Sequence, residues 1–424
     1  MGPVEPLKFA MEPQLSTGLQ GGTYDAMIWS LSKSYLHWSF ALYAIFGVII
    51  AFAFYNLGSS FSVSAGFTPL LGKTTEKKWF KGTIYYRRLC RFSSLGYGLL
   101  QISSGMNTLF GIPQENITYI IICLVIVSAF TISSITGMKK GIRWLSDKNA
   151  WIFLILMILA FLFGPGQWIC NLFVESVGDF FNGFVKNITA IRAVSDTGDI
   201  VGSVWHKNSE MWSQWWDQYY FVDFLSFGPI VGLFSIKLAR GRTLREYVVM
   251  NWVVPAFFGI IWFAIFGGLA LDIQFNFVAY ADKVDLQGCA FLFDFMQRYG
   301  NEAMMLKVVE AILFSAIIKP VVLLLVVLSF VTMADSTTST VALMSIADNK
   351  GVDEAPTGIK LFWAIIMGAA SLIFTLTGNI DGIKIVKTIA GFPILIIGIT
   401  MVVMFVIYIL KHGKDKEIKN MMSD

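Results

Sequence analysis

The sequence predicts an all-α polytopic membrane protein, and three observations carry that expectation. Hydrophobic residues make up 56% of the 424 and charged residues only 14%, and the mean hydropathy of +0.66 is far above that of a soluble chain. Apolar runs of roughly 20 residues, enough to cross about 30 Å of hydrocarbon, recur along the whole length. Basic residues gather in every second connection, as cytoplasmic loops require.

Nine such runs can be counted, near Tyr35–Leu57, Ile84–Phe110, Ile117–Met138, Ala150–Phe173, Gln214–Leu238, Val248–Leu271, Ile318–Met344, Leu361–Thr377 and Ile389–Leu410. Lys73, Lys77, Lys78 and Lys81 follow the first, and Lys139, Lys140, Arg143 and Lys148 follow the third. Lys237, Arg240, Arg242 and Arg245 follow the fifth, and Lys411 to Lys419 close the chain. All fall on one side. An odd count places the amino end outside and the tail, residues 411–424, in the cytoplasm. Asn171–Ser213 and Asp272–Lys307 are long and mixed in charge, and read as exterior loops.

An exterior amino end with neither a signal peptide nor a preceding helix has no evident route across a membrane. The opening MGPVEPL reads as the tail of an interrupted element, so a missing upstream segment is expected. The first span, HWSFALYAIF, sets Trp38, Tyr43 and Phe46 within an arc of roughly 140°. The second carries Arg87, Arg88 and Arg91, which would be costly in lipid and fit an interfacial, snorkelling position. Its other half, with Ser93, Ser94, Gly96, Gly98, Ser103, Ser104 and Gly105, has the small residues that let helix backbones approach closely.

The fifth span is the most informative. Trp216, Tyr220, Asp223, Phe224 and Phe227 fall within a stripe of roughly 100°. Aromatic faces attract a quaternary ammonium, which cannot donate a hydrogen bond, by about 0.5–2 kcal/mol per contact. From periodicity alone, simple packing of these rings against neighbouring helices is the favoured reading. Asp223 favours the binding role, because an ionisable group at membrane depth usually faces a cavity or a partner. The seventh span ends in SFVTMADSTTST, whose hydroxyls can hold an alkali cation, line a water path, or bond back to their own helix; Asp335 strengthens the first two. Between the last two spans, Gly378–Lys387 reads as a short exterior turn, and Pro393 as a kink.

A net charge of +4 is too small to suggest nucleic acid. Cys90, Cys123, Cys170 and Cys289 lack metal-like spacing and the three histidines form no cluster, so neither a metal nor a cofactor is expected. A membrane enzyme would need a convergent catalytic pair, and these residues supply none.

Taken in order, several segments resemble the betaine/choline/carnitine transporters. The family's eighth span reads approximately W-T-V-F-Y-W-A-W-W-I-S-W-x-P-F-V-G-M-F, then A-R-I-S-R-G-R-T-I-R-E-F; Trp216–Phe234 and Lys237–Tyr247 align with it without a gap. LHW at Trp38, LGYGLLQISSGMNTLFG, Lys140-Gly141, VTMADS and IAGFP stand where similar family segments stand, and the resemblance covers nearly the whole chain. It implies two inverted five-helix repeats preceded by two extra helices, twelve spans when complete. The nine here would be the fourth to the twelfth: residues 1–34 the exterior remnant of an upstream helix and loop, 35–213 the rest of repeat 1, and 214–410 repeat 2. MGPVEPL then resembles the end of the family's W-G-V-A-E-P-L.

The resemblance implies a secondary active transporter of a quaternary-ammonium compound (glycine betaine, choline or carnitine type), working by alternating access in the cell membrane as a homotrimer. Trp38, Tyr43, Phe46, Trp216, Tyr220, Phe224 and Phe227 would cage the substrate. Asp223, at a position where the family has Trp, would serve as counter-charge, which keeps a cation such as choline or another methylated amine nearly level with the zwitterions. Sodium-coupled members hold the ion with consecutive Thr and Ser, aligned here with Thr332 and Met333. A thioether is a poor ligand for a hard cation, which argues against sodium coupling. Sodium-independent antiporters carry an Arg where this chain has Asn149. The rival expectation is a remnant, or one part of a split protein, that does not transport by itself.

Overall fold

All regular structure among the described residues is helical, with no strand, as lipid demands of backbone groups that have no water to bond to. The structure, a computed structural model, describes residues 2–14, 17–39, 42–77, 94–136, 139–190, 212, 214–238, 240–346, 354–377 and 380–412. Its main helices are α1 (Val4–Met11), α2 (Tyr24–Ser39), α3 (Leu42–Tyr55), α4 (Ser94–Phe110), α5 (Asn116–Thr136), α6 (Lys139–Phe163), α7 (Gly166–Ile188), α8 (Tyr219–Leu238), α9 (Val254–Phe275), α10 (Ser315–Met344), α11 (Thr357–Leu376) and α12 (Ile380–His412). Among the described residues, 7 helical stretches are long and apolar enough to cross a membrane, and Tyr43–Tyr55 is a shorter apolar helix.

Apolar faces fix how these helices pair. Leu31, Tyr35 and Leu36 of α2 pack with Leu172 and Phe180 of α7 and with Phe263, Ala264 and Leu271 of α9. α1 is wedged against α2 and α9, where Gly267 leaves room for the Pro6 ring. α8 lies along α3 and also meets α12. Leu99, Ile126, Phe130, Ala364 and Met367 join α4, α5 and α11, with Leu323 and Ala334 contributed by α10. The small residues of α4 admit α10 closely: Gly98 lies under the Phe330 ring and Gly105 under Leu323.

Several helices turn apolar faces outward. The Gly391–His412 stretch of α12 has a hydropathy of 2.8 yet is only 11% buried within the protein, and α5 exposes Ile121, Leu124, Val125 and Ile132. Apolar faces exposed in this way fit lipid rather than water.

Several boundaries differ from the sequence reading. The run Ala150–Phe173 is not one span: α6 stops at Phe163 and α7 starts at Gly166, because Pro165 lacks the N–H that would continue the helix. The segment read as the exterior loop Asn171–Ser213 is helical as far as Ile188. Its mixed charge masked an amphipathic helix with Ile169, Leu172, Ser176 and Phe180 on the buried face. Finally, most of Gly378–Lys387 is not a turn, since α12 begins at Ile380; Asp381, Lys384 and Lys387 have helical, three-residue spacing. Arg87, Arg88 and Arg91 lie outside the described residues.

Gly178, inside α7, has open space where a Cβ would go. Gly178→Ala is therefore expected to raise stability by about 0.5–1 kcal/mol, the usual cost of glycine within a helix. Thermal unfolding of the purified protein checks this; a lower midpoint would mean that another surface occupies that face.

Candidate functional site

The chain enters α8 through a wide π turn, Gln214–Gln218, a feature often found at functional positions. Trp216 and Asp217 sit on this turn and Tyr220 follows on the first turn of α8. The Trp216 and Tyr220 rings stack with centroids 6.2 Å apart. Phe9 of α1 meets Trp216 edge-on at 4.9 Å and Trp212 at 4.8 Å, and Trp29 of α2 lies 5.6 Å from Trp212. Three separate stretches thus meet in one aromatic cluster. It already holds an ammonium, because Lys33 Nζ lies 5.7 Å from the centroid of the Trp212 ring.

Beneath these rings runs a buried polar chain. The Tyr220 hydroxyl donates to Glu5 Oε1 at 2.6 Å, and the Tyr220 ring stacks on His37 at 4.8 Å. His37 sits between two carboxylates, with Nδ1 3.3 Å from Glu5 Oε2 and Nε2 2.7 Å from Asp217 Oδ1. Lys33 Nζ reaches the same Asp217 oxygen at 2.9 Å and donates to the Asn187 carbonyl at 2.9 Å. Glu5 and Lys33 are fully buried and His37 is 2% exposed. Charges survive such burial only when paired and hydrogen-bonded. The two carboxylates lie at opposite ring nitrogens, so they do not converge on a common metal ion.

The predicted cage residues fall in two places. Trp216 and Tyr220 join the cluster with α1 and α2. Asp223, Phe224 and Phe227 continue along α8, all half-buried. On α3, Tyr43 is half-buried, whereas the Phe46 ring is wedged against Gly228 of α8 and Gly398 of α12. Trp38 belongs to α2, and its side chain lies outside the described residues. The structure does bring the first and fifth predicted spans together, since α3 and α8 pack over most of their lengths.

The sequence reading missed Glu5, Phe9, Trp29, Lys33, His37, Trp212 and Asp217. A signal was present. Glu5 and His37 each stand among mostly apolar neighbours, where an ionisable side chain implies a partner.

On the predicted ion site, the Thr332 hydroxyl donates to the carbonyls of Leu328 at 2.9 Å and Ser329 at 3.1 Å, the back-bonded arrangement within its own helix. Asn149 Nδ2 donates to Ser329 Oγ at 2.9 Å. A cavity of about 610 Å³ opens beside Trp29, between α2, α7 and the chain that follows α1, with Asp25, Glu175, Asp179 and Lys186 in its wall.

A helical protein with a lipid-facing exterior and buried charges meeting between its helices has the build of a multi-pass membrane transporter. Comparison with known sequences specifies the class. The family described as BCCT, betaine/carnitine/choline family transporter, matches residues 1–414, and the chain belongs to that family. Its members are transporters, not enzymes. The chain is 27% identical over 394 residues to a probable glycine betaine transporter of Desulfitobacterium hafniense, covering 90% of this chain and 72% of that one. It is 27% identical over 380 residues to the glycine betaine transporter OpuD of Bacillus subtilis, covering 88% and 69%. To the osmo-independent choline transporter BetT1 of Acinetobacter baylyi it is 24% identical over 408 residues, covering 93% and 72%.

Proposed function

We propose that this protein moves a quaternary-ammonium compound across the cell membrane by alternating access, as a secondary active transporter. The observation that carries the proposal is the aromatic stripe that runs from Trp216 on the π turn through Tyr220, Asp223, Phe224 and Phe227 on α8, a helix that packs along the one bearing Tyr43 and Phe46. Ring faces attract a methylated cation without asking it for a hydrogen bond, and Asp223 adds a counter-charge. Trp38, Tyr43 and Phe46 complete the cage in this reading. Family membership supports two inverted repeats, 35–213 and 214–410, an exterior amino end, a cytoplasmic carboxyl end and a homotrimer. The back-bonded Thr332, followed by the thioether of Met333, supports transport without sodium.

Uptake of labelled choline, glycine betaine and carnitine by cells expressing the chain, with and without sodium, tests the proposal. At least one should accumulate above vector controls in both media. No uptake of any of the three would overturn it. Asp223→Asn is expected to weaken the apparent affinity for choline by about tenfold, roughly 1.4 kcal/mol, and to change that for glycine betaine far less. Equal losses for both would remove Asp223 from the site.

A further inference from the structure

We propose that Glu5, His37 and Asp217 form a proton-binding site, and that the proton held there is the coupling ion of this transporter. The inference rests on the transport reading above and adds its driving ion.

The argument starts from what each atom can donate. An ionised carboxylate only accepts hydrogen bonds, and a neutral imidazole has one N–H and one lone pair. Both ring nitrogens of His37 face a carboxylate oxygen, at 2.7 Å and 3.3 Å. A neutral ring would therefore point a lone pair at an oxygen lone pair. With both carboxylates ionised, the arrangement is satisfied only when one further proton is present, as an imidazolium between them. The charges then balance: Glu5 and Asp217 are negative, Lys33 and His37 positive. Releasing the proton leaves one negative charge in excess inside the protein and sets two lone pairs against each other, so the three elements that meet here must rearrange.

Those elements are α1 with Glu5, α2 with Lys33 and His37, and the turn into α8 with Asp217. α8 carries Asp223, Phe224 and Phe227 one and two turns further on. A shift that accompanies loss of the proton is thereby delivered to the proposed substrate stripe.

Among the described residues, these groups face the imidazole, together with the edge of the Phe9 ring at 5.6 Å. α1 presents Glu5, and the start of α8 presents Asp217 and the Tyr220 phenol. Lys33, one turn earlier on α2, acts through Asp217. From α7 comes the Asn187 carbonyl, bound to Lys33. α9 packs on α2 through Phe263, Ala264 and Leu271, beside Leu31, Tyr35 and Leu36, and carries the buried Asp272, which pairs with Tyr280. Asp223 lies on the turn of α8 beyond Tyr220.

The test uses the full chain reconstituted in sodium-free liposomes, with the membrane potential clamped and a pH dye inside. Glycine betaine is the probe because it carries no net charge. With one proton per substrate, a one-unit inward pH gradient sustains about a tenfold accumulation, and adding substrate acidifies the lumen. In His37→Gln both signals should vanish, while counterflow exchange of labelled glycine betaine, which needs no net proton movement, persists. A His37→Gln protein that still accumulates substrate down the pH gradient overturns the proposal. So does a wild-type protein whose uptake ignores the gradient.

Should the variant fold poorly, nitrogen-15 NMR of histidine-labelled wild-type protein decides the proton directly. Both nitrogens of His37 are expected to be protonated at neutral pH, and a neutral ring there refutes the site. If wild-type protein shows no counterflow with glycine betaine, choline or carnitine, the transport reading fails, and its failure appears before any pH gradient is applied.

Discussion

Asp217→Ala is expected to destabilise the purified protein by about 3–5 kcal/mol, the range for removing one partner of a buried ion pair. The size follows from what stays behind. Lys33 has no exposed side-chain surface and contacts Asp217 at 2.9 Å; its other hydrogen bond goes to the Asn187 carbonyl. Without Asp217, a buried ammonium is left with a neutral acceptor and a ring face, and His37 loses the shorter of its two contacts. The double variant Lys33→Met, Asp217→Ala should recover much of the loss, because it removes the stranded charge as well as its partner. Chemical denaturation of the two variants and the wild type, followed by helical circular dichroism, measures the difference. A loss below about 1 kcal/mol for Asp217→Ala, the level of an exposed pair, would show that Lys33 is not held as the structure has it.

The contrast between Asp217 and Asp223 shows how far the sequence could be read. Helices crossing a membrane are legible because each hydrophobic run is local. The stripe on α8 is legible for the same reason, and Trp216 and Tyr220 do stack. The cluster around His37 is not local. Its members come from α1, from α2 and from a turn about 180 residues further along, and each alone looks like a stray charge. The same limit hid α7. Glu175, Asp179 and Lys186 lowered its hydropathy enough to suggest a loop, although Ile169, Leu172, Ser176 and Phe180 already marked one helical face. The upstream half of α2 was missed similarly. Asp25, Ser30, Ser32, Lys33 and Ser34 are polar, yet Ser30 and Ser34 satisfy themselves on their own helix, bonding the carbonyls of Met27 and Ser30.

The second large effect is expected at Gly232, where α8 meets α3 backbone to backbone. A Cβ at this position would lie 2.8 Å from the Gly47 nitrogen and 3.2 Å from its Cα. No rotamer change relieves a clash with main chain. Gly228, one turn earlier, is filled by the Phe46 ring, so the pair Gly228 and Gly232 forms the four-residue small-residue spacing that lets two membrane helices touch. Gly232→Ala should cost about 1–3 kcal/mol as an overpacked contact. Gly232→Leu should cost more, because α8 must move away from α3 and carry Phe224 and Phe227 with it. The two losses are separable. In Gly232→Ala, folded protein should persist with substrate affinity reduced, whereas Gly232→Leu should yield little folded protein in size-exclusion chromatography. Gly178→Ala, made beside them, controls for the general effect of replacing a helical glycine. If Gly232→Leu folds and binds substrate as well as Gly178→Ala does, then α3 and α8 are not in contact at this point, and the cage drawn between them fails as well.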